Sequence, residues 1–441
     1  MALSPTVLLS AKELVMPPSK NANLVLNAEK SRRVRLVEAA ASLRKGFAPD
    51  NYHDQVQALG PWARELNYVN QHITVPQEQI DDAAKAYHTV ARRLVSELKW
   101  PDDAIKVLPQ GSASTQTLIR SPDRSKFDVD AVCQVDLNRI AARDPIAFFD
   151  EVGDALEPLK PTRKNRCWNV DFTGKPFYLE FTPSVPLDTV PTGIREAVAR
   201  QYMPVEQYRN TALAVVDNKT RQWKTSNPEG MTKWVNDIAQ LPLIRFAALE
   251  SATALEKSLS IKPVPDQDIE ITDTLKVAIR LFKRHRDMCV YRQKIDKEFK
   301  PISIIIVTLL TACYAGLADL GRKYSHPVEL LADLADLLPG MVLKLNGQYR
   351  VDNPTVEGEN FAERWNRDDG ERYEAFNTWC DILAADMRII LAVTDPQEIR
   401  ERVRSVFGCS GDTSGSGGSS RSGESGTRRP PPPPPKTTGL A

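Results

Sequence analysis

No stretch of this sequence is long and apolar enough to cross a bilayer. A spanning helix needs about 20 mostly apolar residues. The longest apolar run, Ile302 to Tyr314, is interrupted by Ser303, Thr308 and Thr311 and reads as a buried helix. The opening Met1-Ala2-Leu3-Ser4-Pro5 lacks the basic start and long apolar core of a secretory leader, so a cytoplasmic protein is expected. A surplus of either charge is missing too. The 58 Lys and Arg are balanced by 57 Asp and Glu, for a net charge of +1. Proteins that grip a long nucleic acid carry a basic excess, so no long template is expected. The local cluster Arg280 to Arg286 suffices for a small anionic ligand. Paired cysteines are absent as well. Cys133, Cys167, Cys289, Cys313, Cys380 and Cys409 include no Cys-x-x-Cys, and only Cys289 lies near a histidine, His285. That excludes the usual structural zinc patterns and leaves reduced, mostly buried thiols.

What is present suits a two-part globular protein. The chain has 441 residues, 41% of them apolar and 26% charged, enough for two packed domains. Residues 77–99 carry an amphipathic helix through Tyr87, Val90, Leu94 and Leu98, ended by Pro101. Ile105–Leu108 reads as a strand, 128–137 as a second, and 166–172 and 177–184 as two more joined by a Thr173-Gly174-Lys175-Pro176 turn. A helix is expected over 145–159. Beyond about residue 200 strand signals fade and helical patterns dominate over 273–290, 302–316, 327–336 and 371–408. The expected organisation is an N-terminal helical segment packing on the core (1–60), a mixed α/β catalytic core (61–200), a helical nucleotide-binding lobe (201–409) and a tail (410–441). The tail is rich in Gly and Ser and ends in Pro430 to Pro435 and a short terminus. It cannot bury a core, and disorder is expected there.

The chemistry concentrates in two short motifs. Gly111-Ser112 follows the first strand, and Asp128-Val129-Asp130 opens the second. Side chains alternate along a strand, so Asp128 and Asp130 share a face while Val129 points into the core. Paired carboxylates on one face are what magnesium-dependent nucleotidyl transfer requires. Glycine lets backbone approach a phosphate closely. Ser112, Ser114, Thr115 and Thr117 add hydroxyls, and Arg120 and Lys126 add positive charge. A third carboxylate has two candidates, Asp171 and Glu180. Glu180 is favoured because Phe177, Leu179 and Phe181 form the opposite, apolar face of its strand.

Together, Leu108-Pro109-Gln110-Gly111-Ser112, Thr117-Leu118-Ile119, Phe127-Asp128-Val129-Asp130 and Leu179-Glu180-Phe181-Thr182-Pro183 resemble the core of the cGAS/DncV-like nucleotidyltransferases. The resemblance continues through Trp223 to Trp234, Leu281-Phe282-Lys283-Arg284-His285-Arg286-Asp287, Lys300-Pro301-Ile302-Ser303, Asn353-Pro354 and Glu359 to Trp365, covering about residues 60 to 408. It implies an α/β (α+β) fold: a polymerase-β-type core sheet with an all-helical second lobe, as in oligoadenylate synthetase. It also implies ATP and other NTPs as substrates and a cyclic di- or trinucleotide messenger as product. The setting would be bacterial anti-phage signalling (CBASS), with an effector that senses the product. Asp128, Asp130 and Glu180 would hold two Mg²⁺ ions (Mn²⁺ is an alternative). Gln110, Gly111 and Ser112 would hold the donor triphosphate, with Lys283 and Ser303 reaching it from the helical lobe. A monomer is expected. In some systems of this kind a ubiquitin-ligase-like partner conjugates the enzyme's C-terminus, which here is Ala441. Alternatives are synthesis of linear oligonucleotides or modification of an RNA, protein or small-molecule acceptor. A non-catalytic sensor is disfavoured by the intact acids.

Two positions depart from the family pattern: Glu180, where Asp is commoner, and Gln116, where Gly is common before the Thr. His285 reads as structural, and Trp223, Trp234 and Trp365 as packing residues. Asn353-Pro354 and Asn360 to Trp365 read as scaffolding.

Overall fold

The computed structural model describes residues 17–36, 52–101, 104–123, 125–137, 144–244 and 265–409. The tail and the proposed conjugation at Ala441 lie outside them. The helices are α1 (Lys20–Leu36), α2 (Tyr52–Ile73), α3 (Gln77–Leu98), α4 (Gly111–Ser114), α5 (Pro145–Leu156), α6 (Thr192–Gln201), α7 (Pro228–Ala239), α8 (Thr274–Tyr291), α9 (Ser303–Asp319), α10 (Pro327–Leu337), α11 (Glu371–Ala392) and α12 (Pro396–Phe407). The strands used below are β1 (Ile105–Pro109), β2 (Phe127–Val135), β3 (Thr162–Arg163), β4 (Trp168–Asp171), β5 (Phe177–Pro186), β6 (Met203–Pro204), β7 (Leu213–Asp217) and β8 (Gln222–Ser226).

A seven-stranded sheet forms the first half, with the path β1-β2-β5-β4-β3 and β7 bridging β5 to β8. β2 and β5 run parallel, and all other pairs in this sheet are antiparallel. A parallel neighbour needs a crossover, and α5 with β3 and β4 provides it. Alternation places Phe127, Val129, Ala131 and Cys133 of β2 and Phe177, Leu179 and Phe181 of β5 in a core shared with α3 and α5. The opposite face carries Asp128, which is exposed, and Asp130, Tyr178 and Glu180, which are half-buried. Trp223 belongs to this core, against Phe148 at 5.6 Å between ring centres.

The sheet does not stop near residue 200. β7 is buried along its whole length, so it lacks the alternation that marks a half-exposed strand, and β8 pairs with it through Asp217↔Gln222. The helical region is also divided differently. Residues 371–408 form two helices, separated at Asp395, whose side chain caps the amides of Gln397 and Glu398 ahead of Pro396.

The second half packs around α9, which is apolar on every side and buried from Ile305 to Leu317. Trp234, Trp365 and Trp379 lie in this core. His285 is structural, as expected: its Nδ1 accepts from the Trp379 indole at 3.1 Å and its Nε2 lies 3.0 Å from Asp386. All six cysteines are buried and none forms a disulfide. The N-terminal helix departs from expectation. α1 packs on α9 and α10 of the helical half, not on the sheet. Two glycines permit this contact: a Cβ on Gly316 would strike the Asn21 carbonyl, and one on Gly340 would lie 2.6 Å from Ala28 Cα.

Gly340→Val is expected to destabilise the fold by about 1–3 kcal/mol through this overpacking. Hydrogen exchange should speed up across Lys20–Leu36 and stay unchanged in β2 and β5. Uniform acceleration would show that α1 is not a separately attached element.

Candidate active site

The site is built where β1 ends. The Gln110 N–H donates to the Asp130 carbonyl at 2.9 Å, the last tie of the β1–β2 ladder. The chain then turns sharply at Gly111, with φ +62°. Any Cβ there would collide with the Asp130 carboxylate. Glycine is therefore required twice, for the left-handed backbone and for the close approach. The following hydroxyls are divided between two tasks. Ser114 bonds Thr232 Oγ1 at 2.7 Å, and Thr117 Oγ1 meets Thr115 Oγ1 at 2.9 Å, so these groups hold the turn. Ser112 faces the cleft, and its Oγ accepts from Lys283 Nζ at 2.8 Å.

Asp128 and Asp130 open onto a cleft of about 680 Å³, which Gln110, Gly111, Ser112, Lys283 and Ser303 also line. Eight of the nine sequence-designated site residues thus lie within the described structure, and seven of those eight line this cleft. Glu180, the eighth, is the direct register partner of Asp130 across β2 and β5. It is half-buried and outside the cleft lining, with Oε2 3.7 Å from the Cys167 thiol. Asp171 is placed less favourably. It is exposed, its register partner is Tyr178, and it forms an ion pair with Lys126.

The carboxylates repel one another. Burial, then the charges of Asp128 and Glu180, raise the Asp130 carboxyl well above the usual carboxylate range. Glu180 is raised by burial and by Asp128, and the Tyr178 hydroxyl is pushed up to about 12 by burial and the same acids. Opposite them, burial brings the Lys283 ammonium down to about 8, assisted by Arg286.

Among the described residues no group of three or more His, Cys, Asp or Glu is arranged to hold a metal ion unaided. Magnesium, however, is commonly bound by one or two carboxylates, with water and substrate phosphates completing its shell. Two under-compensated aspartates facing a cleft beside a glycine turn fit that donor set.

Some cleft residues escaped the sequence reading. Arg286 donates to the Pro301 carbonyl at 2.9 Å and to Ser303 Oγ at 3.2 Å, so Ser303 is held by a neighbouring cation at the start of α9. Arg286 lies one turn beyond Lys283, a spacing that could have identified it. Asn353, read as scaffolding, and Glu359, assigned no role, both line the cleft. Asn353 Nδ2 donates to Glu359 Oε2 at 2.7 Å, and Lys224 pairs with Glu359 at 3.0 Å. No local pattern marks these two, because a partner such as Lys224 lies far away in sequence.

The raised Asp130 carboxyl has a consequence for stability. The folded chain holds this proton to higher pH than the unfolded chain does. That contribution is fully present below the unfolded value and is lost as pH rises through the folded one. Near neutral pH the ionised cluster opposes folding. Asp130→Asn is therefore expected to raise Tm at pH 7.5 in EDTA, by an amount that shrinks toward pH 4. An unchanged or lower Tm at pH 7.5 would refute the electrostatic reading.

No protein family's sequence profile matches the chain. A c-di-GMP synthase of Roseivirga ehrenbergii is 26% identical over 295 residues, spanning 64% of this chain and 68% of that protein. Among solved structures, Bradyrhizobium diazoefficiens CdnG, a CD-NTase in complex with GTP, superposes with a TM-score of 0.53 at 19% identity, covering 79% of this chain and 95% of that one. Escherichia coli CdnC with ATP gives 0.50 at 13% identity, covering 78% and 97%. These structures share the fold, a mixed sheet joined to a helical lobe. In its motifs, its fold and its sequence relative, the chain resembles the cGAS/DncV-like nucleotidyltransferases.

Proposed function

We propose that the chain is a cyclic oligonucleotide synthase. It would use ATP, other NTPs or both to make a cyclic di- or trinucleotide that signals in bacterial anti-phage defence. The observation that carries the chemistry is the apposition of Gly111 and Asp130, which sets a glycine turn against a carboxylate. Similarity to a named c-di-GMP synthase supports cyclisation as the outcome.

In this reading the donor triphosphate lies along Gln110, Gly111 and Ser112. Lys283, buried and bonded to Ser112, supplies a fixed positive charge without a large ordering cost. Ser303 and Arg286 close the opposite wall. Asp128, Asp130 and Glu180 are the residues that would hold two Mg²⁺ ions, with Mn²⁺ as a substitute. Such ions, when bound, neutralise the triphosphate and ease loss of the acceptor hydroxyl's proton. The acceptor oxygen attacks the α-phosphorus, a new phosphodiester forms, and pyrophosphate leaves. A second such transfer within the linear intermediate closes the ring. Asp130 and Glu180 would lie nearest the attacking hydroxyl.

Purified protein incubated with NTP mixtures, Mg²⁺ and then phosphatase should yield phosphatase-resistant products of cyclic mass. Asp128→Asn with Asp130→Asn should reduce product by at least about 100-fold. Product formation by that double variant, or products that phosphatase shortens, would count against the assignment. The free-enzyme kcat/KM for the donor should fall above about pH 8 as Lys283 loses its proton. In Lys283→Arg this alkaline limb should disappear.

A further inference from the structure

Gln116 occupies the position where the chain departs from the family pattern, and its surroundings show what replaces glycine there. Its φ is +58°, in the left-handed region that disfavours side chains. Three hydrogen bonds hold it in place. Lys276 Nζ donates to Gln116 Oε1 at 2.5 Å, Gln116 Nε2 donates to the Asp266 carbonyl at 2.7 Å, and Arg280 Nε donates to the Gln116 carbonyl at 2.9 Å.

Arg280 ties this point to the rest of the fold. Its side chain is 0% exposed. Nη1 donates to Asn70 Oδ1 at 3.2 Å and Thr74 Oγ1 at 3.1 Å on and just after α2, and Nη2 donates to the Gln267 carbonyl. Gln267 in turn grips both ends of the turn. Its Nε2 donates to the Ala113 carbonyl at 3.0 Å, and its Oε1 accepts from the Leu118 N–H at 3.4 Å. Burial lowers the proton affinity of Lys276 and brings Arg280 down to about 10. Two buried cations thus donate to the side-chain and backbone carbonyl oxygens of Gln116.

Spacing makes these contacts one device. Lys276, Arg280 and Lys283 stand at i, i+4 and i+7 on one face of α8. Lys283 completes the series, donating to Ser112 Oγ and to the Thr117 carbonyl at 2.9 Å. One helix face therefore grips the Gly111–Thr117 turn along its length.

We propose that Lys276 and Arg280 clasp Gln116 so that the Gly111–Thr117 turn is set in its triphosphate-accepting shape before nucleotide arrives. Gln116 and Lys276 are then positioning residues for the donor nucleotide, an inference that rests on the proposed synthase reading. Apparent affinity scales with the fraction of molecules already in the competent conformation. Loosening the clasp should weaken donor binding more than it slows the bound complex.

The test uses the full chain with Gln116→Ala, Lys276→Met, Lys276→Arg and the Gln116→Ala/Lys276→Met pair. Arg280 is left intact because it also braces α2. Donor KM should rise about tenfold in each disruptive single variant, with kcat within about twofold. The pair should be no worse than the worse single, because both changes sever one shared bond. Lys276→Arg should recover most of the loss. In nucleotide-free protein, amide exchange over Gly111–Thr117 should accelerate in Lys276→Met while Tm stays nearly constant. Unchanged exchange in that variant, additive effects, or kcat losses that follow Tm with KM constant would overturn the clasp. If the wild-type chain makes no product, the synthase reading fails and the exchange measurement still decides the clasp.

Discussion

The site depends on the missing side chain at Gly111. The β1–β2 ladder ends on the Gln110 amide and the Asp130 carbonyl, and the chain must turn there within van der Waals reach of a carboxylate. Everything else in the cleft is arranged around that contact. β2 presents the aspartates because its alternate residues are sunk in the core, and β5 aligns Glu180 with Asp130 because the two strands run parallel in fixed register. A one-residue slip of β5 would turn Glu180 inward and Leu179 outward. The buried Phe177, Leu179 and Phe181 oppose such a slip.

Charge is then partitioned across the cleft. The sheet contributes acids that raise one another's proton affinity, and α8 contributes cations that lower one another's. On the cationic side Arg286 is paired with Asp287 at 2.8 Å, while Lys283 has no ion-pair contact among the described residues and is held by Ser112 and the Thr117 carbonyl. A magnesium-bound triphosphate has the complementary pattern, with divalent charge toward the acids and phosphate oxygens toward Lys283. This complementarity suits the proposed magnesium-bound triphosphate.

Much of this was legible in sequence because it follows period-2 alternation and local spacing. Asp128 with Asp130, Gly111-Ser112 and the apolar face opposite Glu180 all lie within single strands or turns. What escaped has a common cause. β7 is buried on both faces and shows no alternation. The path of α1 depends on Gly316 and Gly340, far away in sequence. Asn353, whose Asn-Pro pair suggested only scaffolding, and Glu359, which no pattern assigned, also line the cleft. The hydroxyl-rich stretch looked uniform, yet geometry assigns Ser114 and Thr117 to the turn and Ser112 to the cleft. Gln116 was visible as a departure, but its partners lie about 150 residues onward, at Asp266, Lys276 and Arg280.

The parallel β2–β5 pair also governs when the site can exist. A growing chain that has emerged through Val135 already contains Gly111, Asp128 and Asp130, but the strand that carries Glu180 is still unmade. β5 must then insert beside β2, β7 must cover its far end, and α8 must arrive with Lys276, Arg280 and Lys283. Contacts this distant in sequence form late, after the loops between them have closed. The proposed synthesis would therefore be confined to finished molecules, and a truncated or stalled chain bearing both aspartates would remain silent.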